Sequence, residues 1–367
     1  MGSGSNVEAV YMIRENVSSP SPFVYDIYKI PVPVDDESCQ PMSSSSLKTP
    51  VLSLSKDEYP SGMGFFSVGS KIFMIGGEIY KDYWTTLNKD VYIYDTCTCV
   101  VEKSPSAGMQ VGKIYPRAMG PLHGKFYVSS HKLSDFELYD PQLQSWSLLP
   151  RPPVPSADHS RTGFHIVQHA IVDHNILIST STGHVYVFDS IAQVWSKLEP
   201  DVVNGGGYIL RLPFIGEGGA EFVDDGVWLA LVSRDYGSGR FPLYFFGFDA
   251  SNNQFVRGSK VGNLPPVPPA LMRFDIATFV VGLGNNRFLI LRSGVDHDPF
   301  AFEYGCSPNH HVIINVFRLQ AVGAVGGLFS AIDKHSLSHI MNDRPPLFGE
   351  LRDIRACLPV SSPVLQT

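Results

Sequence analysis

Four arginines stand before short runs of small or apolar residues. They are Arg117 in YPRAMG, Arg161 in HSRTGF, Arg273 in LMRFDI and Arg211 in ILRLPF. A guanidinium group donates two parallel hydrogen bonds to a carboxylate or a phosphate, so arginines gathered on one surface favour an anionic ligand. The alternative is structural, because arginines at strand ends also bond backbone carbonyls and hold neighbouring units together.

Histidine is the second group that could do chemistry, and His159, His165, His169 and His174 fall within one short stretch. In a strand, His165 and His169 would share a face but lie about 13 Å apart at ~3.3 Å per residue, too far to share a metal ion. His159 adjoins Arg161, so we expect it to be the titratable group at the arginines. It would act as an acid or base only in an enzyme, and a plain surface histidine is the alternative.

Three long loops combine aromatic and charged residues, and we expect them on the same rim as the arginines. They span residues 78–90, 233–242 and 292–311. Tyrosine and tryptophan are typical of recognition surfaces. The predicted ligand contacts are Tyr83, Trp84, Tyr236, His297 and Tyr304.

The last of these loops also holds residue types that bind metals, but their spacing matches no zinc or calcium motif. They are Asp296, His297, Asp298, Glu303, Cys306, His310 and His311. We therefore predict no metal and no other cofactor. An ordered binding loop and a solvated insertion both stay open.

Common enzyme signatures are absent from the sequence. It contains no GxSxG, no P-loop GxxxxGK[ST] and no HExxH. The glycine-rich piece VGLGNN at 281–286 falls in a predicted strand-to-strand turn, where no helix follows to bind a dinucleotide.

A sequence pattern that recurs along the chain indicates the structural elements that position these residues. An aromatic-Asp pair lies six residues before a tryptophan at Tyr139-Asp140 and Phe188-Asp189, before Phe255 at Phe248-Asp249, and before Val101 at Tyr94-Asp95. The aspartates lie 45, 49 and 60 residues apart. The runs around them alternate apolar and polar residues, which predicts strands. We expect each aspartate to cap a tight turn by accepting backbone N–H groups two residues on, and each tryptophan to cover the next unit's sheet.

Four strands per 45–60 residues is the unit of a propeller blade. The sequence therefore predicts an all-β, six-bladed β-propeller over residues 8–360, with a flexible N-terminus at 1–7 and a tail at 361–367. AVYMIR and FVYDIYKI would be the second and third strands of the first blade, completed by the C-terminal segment. The predicted blades are 8–58, 60–112, 113–156, 157–203, 204–268 and 269–330, with closure at 331–360.

This pattern resembles the kelch repeat, whose di-glycine at the end of the second strand survives once, as Gly76-Gly77. The chain looks most like the divergent kelch-type proteins of plants, in a standalone form, since no F-box fits before residue 8. The plant glucosinolate specifier proteins share that fold and use an ExxxDxxxH iron site. Here Glu221 and Asp225 match, but Leu229 stands where the histidine should be, so the resemblance does not support that iron site.

The composition and charge of the chain limit the kinds of partner that we expect it to bind. The formal charge is −7 and the pI about 5.9, which argues against nucleic acid. The sequence shows no secretory signal and no apolar run long enough to span a membrane. Five cysteines without a disulfide pattern indicate reduced thiols, so we expect a monomer in the cytoplasm or the nucleus.

Two functions remain open. The first is a non-catalytic module that binds an anionic ligand or an acidic protein segment at an arginine-lined channel mouth. The second is a cofactor-independent isomerase, cyclase or lyase of plant specialised metabolism that uses the same funnel as its pocket. The fold hosts both classes, so it does not decide between them.

Overall fold

The protein is all-β, and no α-helix occurs in the part of the chain that the structure describes. The structure is a computed structural model. It describes residues 7–16, 23–32, 47–81, 84–105, 108–131, 133–154, 165–181, 184–198, 221–224, 227–231, 243–249, 254–261, 263–264, 275–295, 310–321, 329–341 and 354–361.

The strands form antiparallel sheets, numbered here in chain order. Sheet 1 has the order β25 (Ile354–Ser361), β1 (Val7–Glu15), β2 (Phe23–Pro31), β3 (Leu52–Ser55). Sheet 2 has β4 (Ser61–Val68), β5 (Lys71–Lys81), β7 (Val91–Asp95) and β8 (Val100–Lys103), with β6 (Trp84–Leu87) paired to β5. Sheet 3 has β9 (Arg117–Leu122), β10 (Lys125–Ser129), β11 (Phe136–Asp140) and β12 (Ser145–Leu148).

The remaining sheets are four-stranded meanders. Sheet 4 has β13 (Ile166–Val172), β14 (Asn175–Thr180), β15 (Val185–Asp189) and β16 (Val194–Leu198). Sheet 5 has β17 (Glu221–Asp224), β18 (Val227–Leu231), β19 (Leu243–Asp249) and β20 (Gln254–Lys260). Sheet 6 has β21 (Asp275–Gly284), β22 (Arg287–Val295), β23 (His310–Ala321) and β24 (Phe329–Met341).

This succession of four-stranded meanders is β-propeller architecture. The predicted count of six four-stranded blades is wrong for the described residues, where five sheets have four strands and sheet 2 has a fifth strand, β6. The sequence predicted a loop over residues 78–90, but β5 continues to Lys81 and forms a hairpin with β6 there.

The chain divides into two compact units. Unit 1 comprises residues 1–59, 216–246 and 257–367, and unit 2 comprises 60–215 and 247–256. In unit 1 the apolar core lies between sheets 1 and 6, and in unit 2 sheet 3 is buried on one face by sheet 2 and on the other by sheet 4. The predicted single domain over residues 8–360 stays a prediction.

The repeated aspartates cap turns, as the sequence predicted. Asp95, Asp140 and Asp189 each accept two backbone N–H groups, from the residues two and three positions on, at 2.9–3.3 Å. Directly before the next strand begins, each turn also holds a residue with left-handed backbone conformation. These residues are Cys99, Gln144 and Gln193, with φ of 58°, 50° and 54°.

The repeated tryptophans cover the preceding sheet, and the prediction that they cover the next one is wrong. Trp146 pairs across the strands with Tyr139 and joins the core between sheets 2 and 3. Trp195 pairs with Phe188, packs on Phe136 of sheet 3 and donates its indole N–H to the Pro150 carbonyl at 2.8 Å. Cross-strand partners share one face of a sheet, so the aromatic before each aspartate decides which way the tryptophan points.

The C-terminal strand completes sheet 1. β25 pairs with β1 from Val7 opposite Ser361 to Arg14 opposite Ile354, and β1 and β2 are the second and third strands, as predicted. The closing segment is shorter than the predicted 331–360, because β24 runs to Met341 as the fourth strand of sheet 6.

Replacing Asp189 with alanine is expected to lower the melting temperature by a few degrees, because two turn N–H groups lose their acceptor. The N–H of Ala192, and then that of Ile191, hold the pKa of Asp189 below its ordinary value of 3.8. A lowered pKa stabilises the fold above the unfolded value, and that stabilisation is lost as the pH falls through the folded value. Melting curves of wild type and D189A should therefore converge in strong acid. Glu102→Ala, an exposed carboxylate on β8, is the control and should match wild type throughout.

Candidate functional site

Only two of the predicted ligand-contacting residues belong to the described part of the chain, Arg117 and Trp84, and both lie in unit 2. The other predicted residues lie outside the described residues, and for them the predictions stand as predictions. They are His159, Arg161, Arg211, Arg273, Tyr83, Tyr236, His297 and Tyr304.

Arg117 is the first residue of β9, opposite Ser129 at the end of β10. β9 is the first strand of sheet 3, and it contacts the first strands of sheets 2 and 4, which are β4 and β13. Arg117 is partly buried at this end of the three sheets. Arg117 therefore begins a strand that contacts the first strands of both neighbouring sheets, and its role in ligand binding stays a prediction.

Backbone hydrogen bonds join the loops at this end across all three sheets. Tyr115 N–H donates to Gly62 O at 2.7 Å, and His131 N–H donates to Ile114 O at 3.5 Å. Ile166 N–H donates to His131 O at 2.9 Å, and Ser181 N–H donates to His165 O at 2.9 Å. The Ser181 hydroxyl oxygen accepts the N–H of His165 at 3.0 Å in return. The end of unit 2 is therefore one connected backbone surface.

These bonds bring three rings into a row, called here the ring row: Tyr115, His131 and His165. Tyr115 meets His131 edge-on, with ring centroids 6.1 Å apart, and His131 stacks on His165 at 4.9 Å with 12° between the planes. Sequence reasoning assigned no role to Tyr115 or His131. The only available signal was their position, since each lies within two residues of a strand end on the Arg117 side.

The stacked imidazoles are poorly arranged for a metal. The lone pair of an imidazole nitrogen lies in the ring plane, so two nearly parallel rings direct their lone pairs side by side instead of at a common point. Within the described residues, no group of three or more His, Cys, Asp or Glu side chains is placed to hold an ion. The chemistry that the ring row offers is hydrogen bonding, stacking and, after protonation, positive charge.

His169 lies on β13 near Arg117. Burial, and secondly the charge of Arg117, lower the pKa of His169 to about 4. The His169 imidazole is therefore neutral near pH 7, and its Nδ1 atom is buried without a hydrogen-bond partner. Arg117 thus supplies the permanent charge at this position, while His169 adds none.

A buried ion cluster fixes the segment that carries Tyr115. Lys113 is fully buried and contacts the carboxylates of Asp135 and Glu137, the latter at 2.5 Å. Glu137, also fully buried, accepts the N–H groups of Gln110 and Val111 at 2.7 and 3.0 Å. This cluster ties the connection between sheets 2 and 3 to β11.

The di-glycine that resembles the kelch pattern lets this connection approach β5. Gly77 N–H donates to Lys113 O at 2.7 Å, and a Cβ on Gly76 would lie 2.6 Å from that same oxygen. Gly76 and Gly77 have φ of 67° and 88°, a region that favours glycine. Two backbones therefore pass here at a distance that other residues would prevent.

Beyond Gly77, the hairpin of β5 and β6 forms an exposed surface, called here the β5–β6 ribbon. All four residues of β6 are exposed, and the exposed fraction reaches 78% for Trp84 and 71% for Tyr80. Ile79 and Leu87 add further exposed apolar area. Ser61 pairs with Glu78, and its neighbour Gly62 bonds Tyr115, so the ribbon and the ring row begin at the same end of unit 2.

Sheet 5 holds the two described residues of the incomplete plant-type iron motif. Glu221 on β17 lies opposite Leu229 on β18, and Leu229 is buried. An apolar side chain thus occupies the position that an iron-binding histidine would need.

Across the described residues, no helix has the length and apolarity needed to cross a bilayer.

Comparison with known proteins gives a family but no activity. A family model described as "Protein of unknown function (DUF1668)" matches residues 8–335. No curated protein matches the sequence.

Two solved structures share similarity with the fold. One is described as a "putative 6-phosphogluconolactonase" from Bacteroides fragilis NCTC 9343, with a TM-score of 0.41, 9% identity, and coverage of 91% of this chain and 98% of that one. The other is the N-terminal domain of Nup159, with a TM-score of 0.36, 9% identity, and coverage of 76% and 62%.

Proposed function

Because the chain belongs to the family described as "Protein of unknown function (DUF1668)", whose name gives no activity, we propose a function from the site itself. The protein is a non-catalytic binding module that holds an acidic segment of a partner protein across one end of unit 2. Acidic side chains of the segment bind Arg117 and the ring row, and apolar side chains pack on the β5–β6 ribbon.

The observation that carries this proposal is that the β5–β6 ribbon and the ring row begin at the same end of unit 2. An exposed tryptophan and tyrosine lie on a ribbon that begins at the same end of unit 2 as Arg117 and the two stacked imidazoles. Aromatic anchors beside charge are typical of protein recognition. A surface that combines an exposed ribbon with a basic row suits an extended peptide better than a small anion.

The predicted arginines outside the described residues would extend this surface, and they keep that role as part of the proposal. Arg161, Arg211 and Arg273 would add positive charge at an arginine-lined mouth.

The kelch relationship and a plant origin stay predictions, as do a cytoplasmic or nuclear location and a monomeric state. The enzyme alternative also stays a prediction, because no observation on the described residues favours it.

Arg117→Gln is expected to weaken peptide binding by about tenfold, the loss that corresponds to ~1.4 kcal/mol. The probes are peptides selected on the wild-type protein from a displayed random library, with affinity measured by fluorescence anisotropy. We expect the selected peptides to be acidic and to carry an apolar or aromatic residue. Trp84→Ala should weaken the same peptides independently.

Two matched controls separate the site from general surface effects. Arg151→Gln removes an exposed arginine elsewhere in unit 2, and Leu143→Ala removes a side chain that is 73% exposed on the Asp140 turn. Both should bind the peptides as wild type does. Selection of neutral or basic peptides, or equal binding by R117Q and R151Q with unchanged melting temperatures, would overturn the proposal.

A further inference from the structure

The stacked pair His131–His165 has an electrostatic property that a single histidine lacks. The ring centroids lie 4.9 Å apart and the planes are nearly parallel, and both residues are partly exposed. A proton on one ring therefore places a positive charge directly against the other. At this separation, like charges repel enough to divide the two titrations even at the effective dielectric constant of a protein surface, about 20.

Charged groups surround the pair. The titratable or charged side chains of the described residues on the surrounding segments are Lys113, Tyr115, Arg117, Asp135, Glu137, His169 and His184. Lys113 contacts the carboxylates of both Asp135 and Glu137, and His169 is neutral near pH 7. Arg117 on β9 carries a permanent positive charge, which disfavours a second proton on the pair.

Binding of an anion beside the pair makes the second proton on the two rings more favourable. A carboxylate that binds against the rings lowers the energy of the doubly protonated pair, because the negative charge attracts both imidazolium groups. Linkage then requires the complex to take up a proton from solvent, and requires affinity to rise as the pH falls. The proton comes from solvent and forms an N–H bond on a ring nitrogen of the pair, and no other covalent bond changes.

We propose that the stacked pair His131–His165 couples ligand binding to proton uptake, so that the protein holds an acidic segment more tightly as the pH falls. This regulation rests on the proposed function, because it acts on the same surface. It assigns the ring row a role distinct from that of Arg117. Arg117 supplies a constant charge, and the pair supplies one that the ligand and the pH control.

The first test uses the protein without ligand. Histidine ring signals followed by NMR should show His131 and His165 titrating in separate steps, at least about one pH unit apart. In His165→Gln, the division should vanish, and His131 should titrate in a single step. Two independent titrations in the wild type, with the same midpoint for His131 as in H165Q, would overturn the inference.

The second test counts protons on binding. The probe is a hexaglutamate peptide, studied by calorimetry between about pH 5.5 and 8, where its carboxylates stay ionised. Buffers of different ionisation enthalpy should reveal uptake of a fraction of a proton per peptide. Affinity should rise by up to about tenfold for each unit of pH lowered between the two steps.

His165→Gln should reduce the proton uptake and weaken the pH dependence, because only one imidazole is left to take up a proton, while weaker binding remains. His123→Asn, an exposed turn residue of sheet 3, should keep both. Binding without proton uptake in the wild type overturns this inference and leaves the proposed function intact. Divided titrations in the free protein together with no binding of hexaglutamate or of the selected peptides overturn the proposed function instead.

Discussion

Deletion of residues 354–367 is expected to prevent unit 1 from reaching its native fold. The deletion removes β25, which pairs with β1 over seven residue pairs and buries Ala356, Cys357 and Val360. It also leaves the ladder groups of β1 unpaired beside a buried core. Each buried group without a partner costs about 1–3 kcal/mol, so a few of them approach the whole stability of a domain, about 5–15 kcal/mol. Near-UV circular dichroism and binding of a hydrophobic dye should report the loss of packing.

Two milder variants test whether the pairing itself is responsible. Deletion of residues 362–367 keeps all of β25 and should leave stability within about 0.5 kcal/mol of wild type. Arg355→Gln keeps the strand but removes the cation that contacts the fully buried Glu15, and Tyr25 then remains as its hydroxyl donor at 3.1 Å. Breaking a buried ion pair costs about 3–5 kcal/mol, so this variant should be destabilised yet folded. A native spectrum for the 354–367 deletion would show that β1 does not need its neighbour.

Replacing Lys113 with methionine is expected to destabilise unit 2 by about 3–5 kcal/mol, because it leaves the buried Glu137 and its neighbour Asp135 without their cation. Glu137 would keep only the N–H groups of Gln110 and Val111 as donors. The segment that leads to Tyr115 and Arg117 would loosen as well, so peptide binding should fall together with stability. Urea unfolding measures the first effect and anisotropy the second.

Lys103→Met provides the comparison. Lys103 pairs with Asp90 at 2.9 Å, but its side chain is exposed, so solvent screens the pair and no measurable change is expected. Hydrogen exchange gives a local readout, because the amides of Gln110 and Val111 should lose protection in Glu137→Gln and keep it in K103M. Equal stability of K113M and K103M would mean that the buried cluster does not hold this connection.

The surface at the end of unit 2 was only partly predictable. Arg117 could be found because the sequence places it at the start of a predicted strand. Trp84 could be found because it lies in a segment rich in aromatic and charged residues. Tyr115, His131 and His165 are far apart in sequence, and nothing in their types marks them as neighbours. Their contacts depend on hydrogen bonds between loops of different sheets, which no local pattern encodes.

Two errors of prediction have physical causes. The segment 78–90 looked like a loop because charges and aromatics interrupt its alternation. The end of β5 at Ile79 and Tyr80 and all of β6 are exposed, so no apolar face had to be encoded there. The direction of Trp146 and Trp195 was wrong because a strand pattern shows that residues alternate between faces without identifying the neighbour on each face.

The sequence alone determined the local structure: the alternating strands and the aspartate turns at Asp95, Asp140 and Asp189. These features depend on side-chain period and on hydrogen bonds between residues a few positions apart. The sequence also predicted the long-range return of the C-terminus to the first sheet, because the first predicted blade lacked a strand at its own N-terminus. Only the tertiary structure decided which sheet each tryptophan covers, that Lys113 pairs with the buried Glu137 of β11, and that two histidines stack at the same end of unit 2 as Arg117. Those contacts join segments tens of residues apart, and they exist only because the sheets pack face to face and bring their ends together.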